Sequence, residues 1–299
     1  MKQQTRAYLF ALSAILFWST MSSAFNITLR FIDYTQLLLW ASLSSLLILF
    51  TILILQKKLS LLKTLELKDY LRSAILGLLN PFLYYFILFK AYTLLKAQEA
   101  GTLNYIWPIV LVLFSIPLLK QKISYKSIIA IIISFLGIII ISTEGNILTL
   151  QFSNILGVSL AAGSAIFWAL YWILNMKDKR DDILKLFINF CFGFFYILIT
   201  CLILGIIDFP STNALIGSVY IGFFEMGITY FFWLKALSFS INTAKVSNLV
   251  YLSPFLALIF IRITVGETIL VSTVVGLAFI IGGILLQKYF DNSPAGAMK

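Results

Sequence analysis

Residues 103–108 of the chain, LNYIWP, return in altered form at residues 249–254 as LVYLSP, which aligns Pro108 with Pro254. The same interval, about half the chain, separates other similar segments. These are AILFWS (14–19) and SAIFWA (164–169), FKAYTLL (89–95) and LKALSFS (234–240), and SFLGIII (134–140) and IIGGILL (280–286). The sequence is therefore a tandem repeat of two related halves.

The composition places both halves in a membrane. Hydrophobic residues make up 61% of the chain and charged residues only 11%, which is outside the range of soluble domains. A helix needs about 20 apolar residues to cross a bilayer, whereas barrel strands alternate over about 10. Ten runs of suitable length predict ten transmembrane helices: Ala7–Leu29, Tyr34–Gln56, Ser73–Phe89, Ala100–Leu119, Ser127–Thr143, Gln151–Met176, Leu186–Ile207, Asn213–Leu234, Val246–Ile261 and Thr268–Gln287.

Five helices per half is an odd number, so the second half must enter the membrane from the opposite side. The predicted fold is an all-α polytopic membrane protein with ten transmembrane helices in two inverted five-helix repeats. We expect the first repeat at residues 1–146, the second at 147–290 and a polar tail at 291–299. Inverted repeats are a common plan of secondary transporters, with the substrate site at the repeat interface.

Basic residues indicate the orientation. Of the 22 Lys and Arg residues, all but Arg30, Lys90, Lys96 and Arg262 fall on the side of the termini. The positive-inside rule predicts that both termini are cytoplasmic, and it explains the net charge of +10 better than a nucleic-acid partner does. The charged segment 177–182, KDKRDD, is predicted to be a solvated cytoplasmic turn.

Several site classes have little support in the sequence. The chain has no histidine, and its two cysteines both lie inside the seventh predicted span. We therefore predict no metal site, no cofactor and no disulfide. A nucleophile–base pair and a glycine-rich phosphate loop are also missing from the sequence, so we expect no enzyme.

Glu225 is the clearest polar candidate because it lies near the middle of its span, where a charge costs about 2.5–3.5 kcal/mol. On a continuous helix, Trp233 would lie about 80° and Tyr230 about 140° from Glu225, which places all three on one broad face. Glu99, Asn104 and Trp107 repeat this spacing. Glu99 lies nearer the outer surface, so a plain interfacial glutamate is an open alternative.

Prolines and buried aromatics give further candidates. Pro108 and Pro254 hold equivalent positions, which favours hinges or cavity walls over kinks for packing alone. Asn80 precedes Pro81 in the third span, and its repeat counterpart is Glu225. Four tryptophans lie too deep in their spans to act as interfacial anchors, although core packing could also explain them. They are Trp18, Trp107, Trp168 and Trp233.

These features resemble the drug/metabolite transporter superfamily, EamA family. EAGTLNYIWP at 99–108 is similar to the E-x-G-x-x-N-Y-L-W-P signature of its aromatic amino acid exporters. The segments LFWSTMSSA, AIFWALYWILNMK and TYFFWLKAL also match that subgroup. The resemblance implies a central cavity near Trp18, Glu99, Asn104, Tyr105, Trp107, Trp168, Tyr230 and Trp233. The helical angles turn Tyr105 towards a neighbouring helix. Glu225 is not part of the signature, and Asn80-Pro81 departs from it.

The predicted function is a secondary transporter in the bacterial inner membrane that exports amino acids or similar amphipathic metabolites by alternating access. Its partners would be the small-molecule substrate, the lipid bilayer and, as a further candidate, a coupling proton. Glu99 or Glu225 would bind the substrate ammonium, and Asn104 its polar end. Lys90, Lys235 or a helix terminus would serve the substrate carboxylate. The alternatives are transport of another metabolite class, such as a nucleotide sugar or cofactor, and a membrane scaffold without transport.

Overall fold

The structure is a computed structural model that describes residues 3–119, 125–148, 153–239 and 249–291. These residues are mainly helical and include no β-strand. Within these residues, seven helical segments are long and apolar enough to cross a bilayer, and three of them, Leu67–Leu94, Ala97–Leu118 and Thr212–Trp233, consist of two consecutive helices each. Three shorter apolar helices cover the fifth, ninth and tenth predicted spans. The predicted fold class is confirmed. The expected polar tail, apart from Asp291, lies outside the described residues.

The helices are numbered in chain order. They are α1 (Gln3–Thr28), α2 (Tyr34–Leu55), α3 (Leu67–Gly77), α4 (Tyr84–Leu94), α5 (Ala97–Asn104), α6 (Trp107–Leu119), α7 (Tyr125–Ser142), α8 (Ile155–Met176), α9 (Asp182–Leu204), α10 (Thr212–Ile221), α11 (Ile228–Phe239), α12 (Ser253–Phe260) and α13 (Val271–Asp291). We call the face where α1 begins and α13 ends the terminal face, and the opposite face the distal face.

The outer surface of the bundle is apolar, as a bilayer requires. On α1, the side chains of Leu9, Leu12 and Leu16 are each about half exposed, and their spacing places them on one stripe of the helix. Soluble monomers rarely expose apolar patches of this extent. The two cysteines are free thiols, Cys191 half-buried and Cys201 buried.

Polar side chains satisfy the backbone N–H groups that helix starts leave without partners. Asp33 accepts a hydrogen bond from the Thr35 N–H at the start of α2 (2.7 Å), and Asn154 accepts one from the Gly157 N–H at the start of α8 (2.8 Å). Asp33 and Asn154 stand near the distal face. The helix starts are thus fixed where the chain re-enters the membrane.

Two spans are interrupted in their middle by a wide, π-type turn. Leu78–Leu83 separates α3 from α4, and Gly222–Gly227 separates α10 from α11. These spans are repeat equivalents. The two turns carry the polar residues Asn80 and Glu225, and Asn80 has an extended backbone conformation. Such turns free backbone groups and re-aim side chains, and they occur often at functional sites.

The fourth and ninth spans are also interrupted, each near its predicted hinge proline. A turn at Tyr105 separates α5 from α6, and Pro108 is the second residue of α6. A short 3₁₀ segment, Leu249–Leu252, precedes α12, whose second residue is Pro254. Proline is tolerated there because the first turn of a helix needs no backbone donor. A hinge at either proline stays a prediction.

Helix packing shows that a pseudo-two-fold axis relates the halves. The first span packs on the eighth (α1 on α11), and its counterpart, the sixth, packs on the third (α8 on α4). The pairs α2 with α9 and α7 with α13 each join a helix to its own counterpart. Exchanging the halves leaves this pattern unchanged, as expected for an inverted repeat.

Small residues bring α7 and α13 into close contact. A Cβ atom at Gly276 would lie 2.7 Å from the Gly137 carbonyl oxygen, and one at Gly283 would lie 2.5 Å from the Ala130 carbonyl oxygen. Gly283 is the counterpart of Gly137, and Gly276 that of Ala130, so the two contacts are the same contact in both halves. Close backbone approach through small residues is typical of helix pairs in membranes.

The charged segment 177–182 is a solvated turn only in part: Lys177, Lys179 and Asp182 are exposed, as predicted, whereas Asp178 is buried. The Asp178 carboxylate is fully buried and accepts bidentate hydrogen bonds from Arg180, while Arg72 lies 3.6 Å away. Arg180 also donates to the Ser73 hydroxyl on α3. Burial opposes ionisation of Asp178, but the Arg180 hydrogen bonds and charge hold its pKa below the usual value. Pairing thus allows the loop to fold back onto the bundle.

Candidate functional site

A cavity of about 90 Å³ lies between the two halves. It has room for several water molecules but is smaller than the pockets that usually enclose ligands. We call it the central cavity. Half of its lining residues are aromatic. The lining includes Trp18, Met21, Ser22, Phe25, Tyr84, Leu88, Tyr92, Gly101, Asn104, Tyr105, Trp107, Trp168, Glu225 and Val250.

The central cavity lies in the distal half of the bundle. Its residues from α1 come from the second half of that helix, which ends at the distal face. Those from the third span come from α4, the distal half of that span, and Gly101 lies near the distal start of the fourth. The structure therefore represents a conformation whose cavity is displaced towards the distal face.

Glu225 contributes the one carboxylate among the lining residues. Only 7% of the residue is exposed. Its Oε1 atom accepts a hydrogen bond from the Tyr85 hydroxyl at 3.0 Å, whereas Oε2 has no hydrogen-bond partner among the described residues. A buried carboxylate with an unused oxygen is an unsatisfied acceptor, and a cation or a hydrogen-bond donor would stabilise it.

The Tyr85–Glu225 hydrogen bond has a counterpart across the pseudo-two-fold axis. The Asn80 side-chain amide donates to the Tyr230 hydroxyl at 3.3 Å, and Asn80 Oδ1 has no partner among the described residues. Tyr230 is the repeat equivalent of Tyr85, as Glu225 is of Asn80. Each half thus supplies a tyrosine to the broken span of the other half, but only one of the two polar residues is a carboxylate.

Aromatic side chains surround Trp168. Its ring centroid lies 4.7 Å from that of Tyr84 and 6.5 Å from that of Trp107. Towards the terminal face it contacts Trp172 at 5.7 Å and Tyr230 at 6.0 Å. We call Trp168, Trp172 and Tyr230 the aromatic floor, because Trp168 lines the cavity and the other two lie behind it. Such rings can stack on an apolar side chain or face a cation.

The candidates Trp18 and Trp233 are in contact, with ring centroids 5.4 Å apart. Trp18 lines the central cavity, whereas Trp233, like Tyr230 and Asn80, is not a lining residue. The broad face predicted for Glu225, Tyr230 and Trp233 assumed a continuous helix. The turn at Gly222–Gly227 interrupts that helix, so the three side chains do not share one surface of the cavity.

Asn104 lines the cavity with an amide that the protein already satisfies. Its Oδ1 atom accepts a hydrogen bond from the Tyr84 hydroxyl at 3.0 Å, and its Nδ2 atom donates to Ser164 at 2.9 Å. In this conformation Asn104 therefore holds α5 to α4 and α8. Hydrogen bonding to substrate, as the sequence predicted, would require one of these bonds to be exchanged.

The predicted orientation of Tyr105 is right only in part. Its hydroxyl forms a hydrogen bond with Ser253 on the neighbouring helix α12, as expected, but the residue also reaches the cavity. Tyr105 lines the central cavity together with Asn104 and Trp107. The helical angles assumed that residues 99–107 form one helix, but α5 ends at Asn104 and α6 begins at Trp107. The intervening turn rotates Tyr105 into the cavity, so three neighbouring residues line it.

Glu99 lies outside the central cavity, in the first turn of α5 near the distal face. It is buried and accepts a hydrogen bond from Ser153, which lies between the two halves of the chain. Glu267 accepts hydrogen bonds from the Ala97 and Gln98 backbone N–H groups at 2.8 and 3.2 Å. Carboxylates at a helix N-terminus are stabilised by its dipole. Glu99 and Glu267 thus make contacts at the N-terminal end of α5.

None of the described residues that line the central cavity is basic. Lys90 lies over the Tyr34 ring at 5.2 Å, and Lys235 lies over the Phe231 ring at 5.5 Å. Both predicted partners for a substrate carboxylate are thus placed elsewhere. In the described part of the chain, no group of three or more His, Cys, Asp or Glu residues could hold a metal ion.

Sequence reasoning missed Tyr84 and Tyr85. Tyr84 packs on Trp168 and binds Asn104, while Tyr85 binds Glu225. The repeat contained the signal for Tyr85, since its equivalent, Tyr230, was selected. In a chain with 14 tyrosines, no comparable signal distinguished Tyr84.

Comparisons with known proteins agree with this architecture. The profile of the EamA-like transporter family matches residues 5–143 and again 155–287. An uncharacterized transporter of Clostridium kluyveri is 27% identical over 76% of this chain and 74% of its own. The uncharacterized transporter YyaM of Bacillus subtilis is 22% identical over 76% of each chain. A crystal structure, 21% identical, superposes with a TM-score of 0.66 over 95% of this chain and 97% of that chain.

Proposed function

Because the chain belongs to the EamA-like transporter family, we propose that its central cavity carries a small amphipathic amine, first of all an amino acid, by alternating access. The observation that supports this proposal most directly is the environment of Glu225. This residue is a buried carboxylate with one unused oxygen, inside a cavity whose described lining residues are half aromatic and include no basic side chain. Those properties favour a positively charged group on the substrate.

In this mechanism the substrate ammonium binds Oε2 of Glu225, while Tyr85 holds the other carboxylate oxygen. Charge-assisted hydrogen bonds of this kind are about twice as strong as neutral ones. The faces of Trp107 and Trp168 then surround the apolar side chain and add attraction for the cation. The Trp168 indole N–H, which is buried without a partner among the described residues, is available to a substrate oxygen.

A proton is the candidate coupling ion. A carboxylate at this depth is costly unless it is neutralised, so Glu225 can hold a proton or an ammonium group. Within the described ranges, the ionisable residues facing it are all tyrosines: Tyr84, Tyr85, Tyr92, Tyr105 and Tyr230. Exchange of one cation for the other would couple substrate export to proton entry.

The distribution of charge supports a location in a bacterial inner membrane with both termini in the cytoplasm. Lys58, Arg72 and Arg180 lie at the terminal face, and most other basic residues fall on the same side. Basic loops remain cytoplasmic during insertion. The distal face, towards which the cavity is displaced, would then be the outer face.

Phosphorylated substrates such as nucleotide sugars fit the cavity poorly. Phosphate groups are usually bound by Arg or Lys side chains, and the lining offers a carboxylate instead. A scaffold without transport predicts no saturable flux, and an enzyme would need a substrate that is chemically changed. We therefore rank both below transport of an amine.

The test is uptake by purified protein in proteoliposomes across a panel of labelled amino acids, with and without a pH gradient. Glu225→Gln keeps the size of the side chain and removes its charge, so saturable flux should fall at least about tenfold, the effect of losing about 1.4 kcal/mol of binding. Glu144→Gln is the matched control, since Glu144 is an exposed carboxylate outside the cavity. Flux of Glu225→Gln equal to wild type at every pH would refute the assignment.

Trp107 tests which substrates the aromatic wall selects. Trp107→Ala should weaken aromatic substrates more than small ones, since stacking contributes about 0.5–1.5 kcal/mol for an aromatic pair. Competition by Phe and by Ala against one labelled substrate measures the difference. An equal loss for both competitors would mean that Trp107 supports the fold.

A further inference from the structure

The terminal half of the bundle contains buried polar atoms that have no hydrogen-bond partner in the described residues. They include Asn80 Oδ1, the Tyr171 hydroxyl and Asn175 Oδ1. Tyr171 and Asn189 are neighbours, yet neither side chain forms a hydrogen bond of normal geometry. Each such group costs about 1–3 kcal/mol, and native structures contain few of them without a reason.

The repeat relates three residues of this region to the wall of the central cavity. Trp18 and Trp168 are repeat equivalents. In the same register, Met21, Ser22 and Phe25 correspond to Tyr171, Trp172 and Asn175. All three residues of α1 line the central cavity. Their counterparts on α8 lie towards the terminal face, behind Trp168.

The third and eighth spans give the same result. Glu225 and Leu88 line the central cavity, whereas their counterparts, Asn80 and Trp233, do not. Asn80 is completely buried. Three of the five counterparts, Asn80, Tyr171 and Asn175, thus carry unpartnered polar atoms, and the two observations are independent.

We infer that Asn80, Tyr171, Trp172, Asn175 and Trp233 form a second substrate site, which opens to the terminal face when the central cavity closes. We call it the terminal site. This inference rests on the proposed alternating access, because only an exchange of the two halves' conformations would expose it. The unpartnered atoms then acquire water or substrate as partners.

The terminal site differs from the central cavity in charge. Asn80 replaces the carboxylate of Glu225, and the remaining members are neutral. The terminal site would therefore bind the hydrogen-bonding groups of the same amphipathic amine without an ionic contact at this position. A neutral hydrogen bond is about half as strong as a charge-assisted one. The substrate cation is accordingly held less tightly from the terminal face than from the distal face.

Cysteine accessibility tests the terminal site. In a background with Cys191→Ser and Cys201→Ser, Asn175→Cys is compared with its repeat counterpart, Phe25→Cys. Sealed vesicles of either orientation are treated with a membrane-impermeant methanethiosulfonate reagent. Phe25→Cys should react from the distal side and Asn175→Cys from the terminal side. Labelled amino acid at saturation should change the two rates in opposite directions by about tenfold, as a shift between two conformations requires.

Three controls keep this result interpretable. Phe195→Cys, on the exposed apolar surface of α9, should not react from either side. Complete labelling after denaturation shows that each thiol is present, and Tyr171→Cys repeats the measurement at a second position. If Asn175→Cys and Tyr171→Cys never react from the terminal side while Phe25→Cys reacts normally, the terminal site does not exist.

Asn80→Asp adds a direct test of the charge difference. A second carboxylate should lower the KM measured from the terminal face about tenfold and leave the KM from the distal face within twofold, the tenfold change being the equivalent of about 1.4 kcal/mol. An unchanged KM from the terminal face would contradict the inference. If the wild-type protein transports no solute, the proposed function fails, whatever the labelling shows.

Discussion

The contact between α7 and α13 yields a prediction that two neighbouring glycines can test. In the structure, a Cβ atom at Gly283 would clash with the Ser134 hydroxyl oxygen, and it would lie 2.5 Å from the Ala130 carbonyl oxygen and 2.9 Å from the Ser134 backbone nitrogen. A Cβ atom at Gly282, one residue earlier on α13, would meet no atom within 4 Å. Gly283→Ala should therefore destabilise the protein, whereas Gly282→Ala should not.

The magnitude follows from the geometry. An ordinary contact of this kind is at least 3.4 Å. The two helix backbones must therefore separate by about 0.9 Å, because two of the three clashing atoms belong to the backbone of α7 and cannot rotate away. Overpacking typically costs about 1–3 kcal/mol. Replacing Gly by Ala inside a helix contributes about 0.5–1 kcal/mol in the other direction. That gain is common to both variants. The difference in unfolding free energy between Gly283→Ala and Gly282→Ala therefore isolates the steric cost of about 1–3 kcal/mol.

Thermal unfolding of the purified variants in one detergent measures this difference. Using about 2–4 °C for each kcal/mol as a guide, we expect Gly283→Ala to melt several degrees below Gly282→Ala. Gly282→Ala should melt at or slightly above the wild type. Equal melting temperatures for the two variants would refute the close packing of α7 on α13. They would also remove one of the two helix pairs, α7 with α13 and α2 with α9, in which a helix packs on its own repeat counterpart.

Two other predictions concern the terminal face and the cavity. Arg180→Ala leaves the buried Asp178 with only the more distant Arg72, and breaking a buried pair costs about 3–5 kcal/mol; thermal unfolding should show a large loss. Because pairing lowers the pKa of Asp178, its stabilisation is complete above the ordinary value near 4 and is lost as pH falls through the lowered pKa. The wild type should therefore lose stability on acidification below about pH 4, and Arg180→Ala should lose less. Tyr85→Phe removes the hydroxyl donor of Glu225 and should raise the substrate KM about tenfold, as expected for a hydrogen bond to a charged group; an unchanged KM would exclude that role.

Much of the fold was predictable because the bilayer limits the possible structures. Apolar runs of sufficient length can only be spans, and an odd number of spans per repeat forces the inversion. The interruptions were not predictable, since π-type turns have no distinct composition. Glu225 signalled a polar position in the eighth span, but nothing in the sequence showed that the helix widens there. Because turns interrupt these two helices, the angular positions that a continuous helix predicts for Tyr230 and Tyr105 do not apply.

The charged segment 177–182 shows a different limit. Sequence reasoning treats Asp and Arg as surface residues because an isolated buried charge is prohibitively costly. Two charges that are buried as one hydrogen-bonded pair cost much less than an isolated buried charge, and pairing depends on where the chain folds back. Arg180 reaches Ser73 on α3, which precedes it by more than a hundred residues. No local pattern could have predicted that contact.

The broken symmetry at the centre is the feature most relevant to mechanism. Tyr85 and Tyr230 are equivalent and each contacts the broken span of the other half, so the fold alone would give the two halves equal roles. The chain places a carboxylate at one of the two positions and an amide at the other. An inverted repeat with identical centres would bind a cation equally from both faces. If Asn80 belongs to the proposed terminal site, the binding energy of a cation would differ between the two conformations, and a bound cation would then shift the protein from one conformation to the other.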